Sequence, residues 1–381
     1  MCVPSRVIPG SLVLATTAMT STFILLLLSQ AALLLQGLPQ ATAVLPQSPS
    51  VEATSLGCPE DADVYPCKCT VDDTTAEIDM DCSGVISEAE LRRVFEADFL
   101  FPDLNKLVIQ GATNDPVPLK TLEEGTFGLV SFKHVTISNT DLNSVALLAF
   151  ANSFPTIETM DFSNNHLEFF PFEFLADCKK LTTLYVQNNE LVHVSLLHSE
   201  SLLFFDASGN SELKYEDEVF QNAPMLQDIN LSNTNLGHIT PLTFAFQQNL
   251  KTLNLQGNNI DYLYLDALKF LSSSPITVDL DRNKIGTVEP GAITGLQPGS
   301  TLKLKTNMLT DLPQTVWEDI FIALRGTDTI ELDDNLIECA CNIKWLISNT
   351  DHMNTLKDGN ECVDKTSIHD PSLINFITQH C

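Results

Sequence analysis

A nine-residue pattern recurs along this chain at a nearly constant interval. Residues 181–191, LTTLYVQNNEL, fit the template L-x-x-L-x-L-x-x-N-x-L. Ten segments align on its inner apolar triplet, and each is counted over the first nine positions, so that the last template residue is the asparagine position. From the second segment on, the last template residue advances by 25, 24, 21, 24, 24, 25, 24 and 28 positions. Such a regular period predicts a stack of similar structural units. We call the segments coils 1 to 10: LNKLVIQGA (104–112), FKHVTISNT (132–140), IETMDFSNN (157–165), LTTLYVQNN (181–189), LLFFDASGN (202–210), LQDINLSNT (226–234), LKTLNLQGN (250–258), PITVDLDRN (275–283), GSTLKLKTN (299–307) and TDTIELDDN (327–335).

The template residues have a physical role in such a stack. Alternate residues of a strand point to opposite sides, so the apolar residues face inward and pack on the next coil. The last template residue is Thr140 in coil 2, Thr234 in coil 6 and asparagine elsewhere from coil 3 on. An asparagine amide both donates and accepts, so we predict that it satisfies backbone groups in the buried turn, as threonine does only in part. A second apolar element should close the outer side, at Phe127, Phe150, Phe220, Phe244 and Trp317.

The repeat pattern resembles that of the extracellular leucine-rich repeat proteins, over roughly residues 58–381. The resemblance implies an α/β repeat solenoid of about ten repeats. In that family the coils form a horseshoe with a concave parallel β-sheet, and disulfide-bonded caps close both ends. The spacings by themselves indicate only stacked coils.

The N-terminus has the features of a secretory signal. Arg6 is followed by the apolar run FILLLLSQAALLL (23–35) and by ATA at 41–43, which predicts cleavage near Ala43. An uncleaved membrane anchor is the alternative, but the run is short for a span and contains Ser29 and Gln30. No later segment is long and apolar enough to be a span, so we expect a secreted, extracellular protein without a membrane span in its mature chain.

The cysteines divide into two groups of four that flank the repeats. They are Cys58, Cys67, Cys69 and Cys82 before coil 1, and Cys339, Cys341, Cys362 and Cys381 after coil 10. Metal binding is the competing interpretation, but an oxidising compartment favours disulfides. By the resemblance, Cys339 pairs with Cys362 and Cys341 with Cys381, whereas spacing alone allows three connectivities. Cys178 is left over; it either links two chains or, as we expect, is a buried small apolar residue.

These observations predict the organisation of the chain. In the first cap, SEAE (87–90) has the form of a capping box and predicts a short helix. The predicted parts are a signal peptide (1–43), a short linker (44–57), an N-terminal cysteine cap (58–103), leucine-rich repeats (104–337) and a C-terminal cysteine cap (338–381).

The strand residues between the template positions should face solvent, which predicts a polar face on the sheet. We call the residues at the centre of each strand the central column: Val108, Thr136, Asp161, Tyr185, Asp206, Asn230, Asn254, Asp279, Lys303 and Glu331. A solvated sheet needs polar residues even without a partner, which is the alternative to a binding role. As a set, the face is a rigid platform with aromatic anchors, so we predict partner binding there. The predicted partner-binding residues are Asp161, Tyr185, Phe204, Asp206, Asp228, Asn254 and Asp279.

Charge and motifs restrict the class of partner. Lys and Arg number 20 against 49 Asp and Glu, a formal charge of −29 that disfavours nucleic acid, anionic lipid and heparin-like glycans. A basic or amphipathic protein partner is favoured, and no calcium loop, metal site or cofactor motif is present in the sequence. Asn230 begins the one N-x-S/T sequon, NLS, so a glycan there would stand within the central column.

We find no catalytic constellation, and therefore predict a protein that is not an enzyme. VYPCKCTVDDTTAEIDMDCSG (64–84), FP (101–102) and FSNNHLEFFPFEFL (162–175) resemble a group of secreted arthropod leucine-rich repeat proteins. That resemblance implies a non-enzymatic chain that accompanies another secreted protein. The predicted function is a secreted binding protein, in one form an accessory subunit of a secreted enzyme. An extracellular recognition or adhesion protein of innate defence is the alternative. Ligand identity and oligomeric state stay open.

Overall fold

The computed structural model describes residues 57–326 and 329–381. The predicted signal peptide with Arg6 and Cys2, almost all of the linker and the first two residues of coil 10 lie outside the described residues. Within them, twelve strands form one sheet, in the spatial order of the sequence. The strands are Lys68–Val71, Ile78–Asp81, Asp103–Gln110, Ser131–Ser138, Thr159–Asp161, Thr183–Tyr185, Phe204–Asp206, Asp228–Asn230, Thr252–Asn254, Thr277–Asp279, Thr301–Lys303 and Ile330–Glu331.

The last ten of these strands are the ten coils predicted from the sequence. The first two strands pair antiparallel, and every later pair is parallel. The inward residues of the central strands, such as Leu184, Phe205 and Leu253, are fully buried. The predicted leucine-rich repeat solenoid is confirmed, because each coil contributes one strand to a shared sheet and one layer to a continuous apolar core.

The terminal template residues hold neighbouring coils together. Asn189 is buried; its Oδ1 accepts the Leu167 N–H at 3.1 Å, and its Nδ2 donates to Phe162 O at 2.9 Å and to Val186 O at 3.0 Å. Two of these groups belong to the preceding coil, so one side chain joins two coils. The other template asparagines are equally buried: Asn165, Asn210, Asn258, Asn283, Asn307 and Asn335.

As predicted, Thr140 and Thr234 satisfy fewer backbone groups of the turn than the template asparagines do. The Thr234 Oγ1 donates within its own coil, to Leu231 O at 2.9 Å, and forward to Asn258 Oδ1 at 3.0 Å. It has no amide with which to reach back to the preceding coil. The Asn258 Oδ1 also accepts the Thr234 N–H at 3.0 Å, so the next coil supplies part of what the threonine lacks.

The residue before each terminal template residue has a left-handed backbone from coil 2 to coil 10. These residues are Asn139, Asn164, Asn188, Gly209, Asn233, Gly257, Arg282, Thr306 and Asp334. Asparagine and glycine tolerate this conformation best, which explains the repeated NN and GN pairs. At Gly209 a side chain would also collide, because a Cβ there would lie 2.2 Å from Asn188 Oδ1.

The outer side of the coils carries the predicted aromatic layer. Phe127 stacks on Phe150 with ring centroids 4.8 Å apart, Phe220 stacks on Phe244 at 5.7 Å, and Trp317 is 1% exposed. Four short parallel pairs of strands form separate two-stranded sheets: Thr121–Leu122 with Ser144–Val145, His193–Val194 with Lys214–Tyr215, Tyr262–Leu263 with Thr287–Val288, and Leu268–Lys269 with Ile293–Thr294. The α-helices are Asp61–Val64, Glu88–Val94, Gln314–Leu324, Lys344–Ile347, Thr350–Thr355 and Pro371–His380, and the 3-10 helices are Ala151–Ser153, Phe172–Ala176 and Cys341–Ile343.

Disulfide-bonded caps cover both ends of the sheet. The bonds are Cys58–Cys69, Cys67–Cys82, Cys339–Cys362 and Cys341–Cys381, and the last two are the pairing that the resemblance implies. The predicted capping box starts the helix Glu88–Val94, since Ser87 Oγ accepts the Glu90 N–H at 3.2 Å. No helix in the described part of the chain has the length and apolar character to span a membrane.

Candidate functional site

Strand register brings the predicted binding residues onto one face of the sheet. Asp161, Tyr185 and Asp206 are direct neighbours on successive strands, and the row continues through Asn230, Asn254, Asp279, Lys303 and Glu331. Phe204 lies in the parallel row that starts each strand, between Thr183 and Asp228. All seven predicted residues therefore share this face, which we call the sheet face.

The prediction that the whole central column is solvent-exposed is wrong for two residues. Asp206 is 9% exposed and Glu331 is 7% exposed, whereas the other members are half-buried. The reason is local pairing. Asp206 Oδ2 accepts a hydrogen bond from Asn230 Nδ2 at 2.8 Å, and Glu331 lies between two lysines. Asp206 therefore mainly stabilises the sheet face and has little exposed surface with which to contact a partner.

The column residues also have a structural task that the sequence analysis missed. In five of the six coils from coil 3 to coil 8, all except coil 4, an Asp or Asn side chain at the strand end accepts the backbone N–H two residues later. The distances are 2.9 Å for Asp161, 2.9 Å for Asp206, 3.1 Å for Asn230, 3.0 Å for Asn254 and 3.0 Å for Asp279. This Asx-turn explains why Asp and Asn recur there without any partner. The second side-chain atom has an internal partner in Asp206, Asn230 and Asp279, whereas the second oxygen of Asp161 has none in the described residues.

One part of the face combines aromatic rings with carboxylates that form no ion pair in the described residues. We call Asp161, Tyr185, Phe204, Asp206 and Asp228 the aromatic segment. The Tyr185 and Phe204 rings lie 5.0 Å apart between centroids, at 51°, and both are half-buried. Burial raises the pKa of Tyr185, and the charges of Asp161 and Asp206 raise it further. The phenol therefore stays neutral and serves as an apolar surface with a hydroxyl tip.

The other part of the face is neutralised within the protein. We call Asp279, Asp281, Lys303, Lys305, Glu331, Asp333 and Lys357 the ion-paired segment. Lys303 Nζ lies 3.2 Å from Asp279 Oδ2, and Glu331 Oε2 lies 2.5 Å from Lys305 and 3.2 Å from Lys357. Burial opposes ionisation of Glu331, but the hydrogen bonds from the two lysines prevail and lower its pKa.

Asp281 shows the opposite shift in the same segment. Burial raises the pKa of Asp281 above its ordinary value, although its Oδ1 accepts the Lys305 N–H at 2.7 Å. The lysines of this segment, and Lys357 in the C-terminal cap, were not part of the predicted site. Their contacts join residues 24 to 28 positions apart, and only the repeat register could have pointed to them.

Three features of the described residues concern possible chemistry: metal ligands, neighbouring acids and the free thiol. No group of three His, Cys, Asp or Glu side chains among them is placed to hold a metal ion. The adjacent Asp333 and Asp334 face different lysines, Lys305 and Lys365. Cys178 is fully buried, and burial raises the pKa of its thiol to about 12, so it is neither a nucleophile nor available for a bond between chains.

Known proteins support this description of the chain. Residues 112–212 and 208–288 match the BspA type leucine-rich repeat region, in six copies. The chain is 28% identical over 338 residues to the non-catalytic subunit of Oplophorus-luciferin 2-monooxygenase from Oplophorus gracilirostris, over 86% of this chain and 90% of that protein. It is 26% identical over 183 residues to podocan of Mus musculus, over 47% of this chain and 29% of podocan.

A solved structure agrees on the fold. A chain of the octameric complex of Latrophilin 3, Unc5D and FLRT2 superposes with a TM-score of 0.55 at 17% identity, over 72% of this chain and 81% of that chain. At this identity the likeness concerns the fold alone. Together with the terminal disulfides, these similarities confirm the predicted resemblance to extracellular leucine-rich repeat proteins with cysteine caps.

Proposed function

We propose that this chain is a secreted, non-catalytic binding protein whose sheet face docks a basic or amphipathic protein partner. We infer further that it acts as an accessory subunit of a secreted enzyme. The similarity to a subunit that is non-catalytic by name supports this role, and the four disulfides support an extracellular location.

The aromatic segment is the observation that carries the proposal. Within residues 57–326 and 329–381, no lysine, arginine or histidine forms an ion pair with Asp161, Asp206 or Asp228. Elsewhere on the face, the protein provides lysines for its own carboxylates. A rigid aromatic pair beside unpaired charge is the arrangement expected of an interface centre.

The net charge supports a basic partner. The formal charge is −29, and removal of Arg6 with the signal would bring the mature chain to −30 (−29 minus 1). A charge of this size accelerates association with a basic protein and makes the rate depend on salt. Nucleic acid would be repelled.

Capture of the partner tests the proposal. The mature chain, residues 44–381, would be immobilised and exposed to extracellular fluid of its source at low and moderate salt. We expect one basic protein to be retained, more weakly at moderate salt, and to form a one-to-one complex in size-exclusion chromatography with light scattering. Retention of many unrelated microbial or cell-surface molecules would instead favour the recognition protein, and an empty column would contradict both.

Variants locate the docking surface. Tyr185→Asn with Phe204→Thr should weaken capture about 30-fold or more, because aromatic anchors at an interface centre typically contribute 2 kcal/mol or more. Threonine occupies the Phe204 register at Thr183 in the preceding strand and at Thr252 two strands further on, so the double variant should fold. Tyr264→Asn is the matched control, an exposed tyrosine away from the sheet face. Equal capture by the double variant and the control would move the site off this face.

Glycosylation of Asn230 would determine how much of the sheet face is accessible to a partner. Its side chain donates to Asp206 and its Oδ1 accepts the Ser232 N–H at 3.1 Å, so it is half-buried in the centre of the column. We propose that the NLS sequon is glycosylated and that the partner docks on the side toward Tyr185. The intact mass of the secreted protein, before and after enzymatic deglycosylation, tests this assignment, and Asn230→Gln is the control.

A further inference from the structure

We propose that the aromatic segment binds an arginine side chain of the protein partner. The proposal rests on the proposed function, because it names the chemistry by which the sheet face selects that partner. The guanidinium would stack on the Tyr185 and Phe204 rings and hydrogen-bond the carboxylates beside them.

The rings provide the surface for stacking. Their centroids are 5.0 Å apart and the rings are inclined by 51°, so together they form a shallow corner. Each ring lies in a different row of the sheet, Tyr185 in the central column and Phe204 in the row that begins each strand. A cation within about 6 Å of such a ring is attracted to its face, and arginine is the side chain found there most often.

The carboxylates lie on either side of this corner. Asp161 is the strand neighbour of Tyr185, and Asp228 is the strand neighbour of Phe204. Neighbouring strands are about 4.8 Å apart, so each carboxylate lies next to one ring. The Asx-turn of Asp161 uses Oδ1 and leaves Oδ2 free, and Asp228 makes no side-chain hydrogen bond within residues 57–326.

The ion-paired segment shows which group the aromatic segment lacks. At Asp279 the same row position supplies Lys303 from the next strand, 3.2 Å away. Next to Asp161 the row supplies Tyr185, and next to Asp228 it supplies Thr252, neither of which is a cation. A cation from outside would complete the pattern.

Guanidinium fits better than the other cations. The carboxylates are separated by rings and do not converge, as the several oxygen ligands of a calcium ion must. An ammonium group is compact and strongly hydrated, whereas guanidinium is planar, stacks on rings and donates to carboxylate oxygens in a fork. The corner offers both kinds of contact at once.

Short peptides test the assignment without the partner. The probe is acetyl-Gly-Ser-Arg-Ser-Gly-amide, compared with the same peptide carrying citrulline, which is neutral and nearly isosteric, or lysine. Binding to the mature chain would be followed by NMR through the ring resonances of Tyr185 and Phe204. We expect the arginine peptide to bind about fivefold more tightly than the citrulline peptide, and more tightly than the lysine peptide.

Two aspartate variants with the same loss of charge locate the site. Asp161→Asn keeps the Asx-turn, as Asn230 and Asn254 show, and should weaken arginine binding about threefold. Asp281→Asn makes the same change in the ion-paired segment and should leave binding unchanged. Phe204→Thr should remove most of the binding.

Each outcome has a defined meaning. Equal binding of arginine and citrulline, equal binding of arginine and lysine, or equal weakening by the two aspartate variants would overturn the arginine site. Peptide binding without partner capture would leave the arginine site intact and reject the docking function. Partner capture that survives loss of peptide binding would keep the function and reject this site.

Discussion

The aromatic segment and the ion-paired segment are built on the same strand geometry but handle their charge in opposite ways. In both, an aspartate at the strand end accepts the N–H two residues later, at 2.9 Å for Asp161 and 3.0 Å for Asp279. In the ion-paired segment the remaining oxygen meets a lysine of the next coil, whereas in the aromatic segment it meets none. The repeat therefore determines where a carboxylate lies, and the neighbouring coil determines whether its charge is available.

Coil 7 lies between the two segments, so we expect a variant that disrupts this coil to destabilise both segments and to cause the largest loss of stability. Asn258→Ala removes five hydrogen bonds, among them those to Leu231 O and Leu255 O, and leaves several buried backbone groups unpaired. We expect a loss of about 3–5 kcal/mol in the free energy of unfolding, measured by chemical denaturation. Asn259→Ala is the control, because this half-buried neighbour makes a single side-chain hydrogen bond, to Asn235; an equal loss in the two variants would contradict the role of Asn258.

Removing one lysine should destabilise the ion-paired segment alone. Lys305→Met leaves the buried Glu331 with only Lys357 and removes the contact to Asp333. We expect a loss of about 2 kcal/mol, at the lower end for a broken buried pair because Lys305 is partly exposed. Lys284→Met, an exposed lysine on the neighbouring coil, should change stability by less than about 0.5 kcal/mol. Partner capture should survive both changes.

The pH dependence of stability should separate the two acids of the ion-paired segment. The pKa of Glu331 is lowered from 4.5, so ionised Glu331 stabilises the fold above pH 4.5, and this contribution is lost as the pH falls through the lowered value. Glu331→Gln should therefore destabilise at pH 7 and destabilise less at pH 3. The pKa of Asp281 is raised, so its ionised form opposes folding and Asp281→Asn should stabilise at pH 7. Denaturation curves at the two pH values measure both, and parallel behaviour of the variants would contradict this account.

The smallest effect should come from copying one feature of the ion-paired segment into the aromatic segment. Asn230→Lys places a lysine beside Asp206, as Lys303 lies beside Asp279. The internal cation should weaken binding of the arginine peptide about threefold. Loss of the bond from the Ser232 N–H should lower the free energy of unfolding by about 1 kcal/mol. Asn230→Gln removes the sequon without adding charge and should bind the peptide as the wild type does. Titration by NMR compares them, and unchanged binding by Asn230→Lys would show that the two segments differ in more than their cations.

The structural features that recur from coil to coil could be predicted from the sequence. The strands, the buried asparagines and the shared face follow from the apolar triplet of each coil and the fixed period. Tyr185 and Phe204 could therefore be placed side by side from their template positions alone. The burial of Asp206 and Glu331 could not, because it depends on which side chain the next coil happens to present. Alignment across coils sets Asn230 against Asp206, but it sets Lys303 against Glu331, so the ion pair from Lys305 to Glu331 crosses the register.

The Asx-turn has a consequence for how such a surface can change over generations. Aspartate and asparagine both supply the oxygen that the turn requires, as Asp206 and Asn230 do on adjacent strands. Each of the five coils with this turn can therefore exchange one for the other, gaining or losing a unit of charge, while the backbone keeps its shape. The surface charge of this molecule can therefore change one coil at a time, which would let the same fold acquire new partners without a change in its backbone.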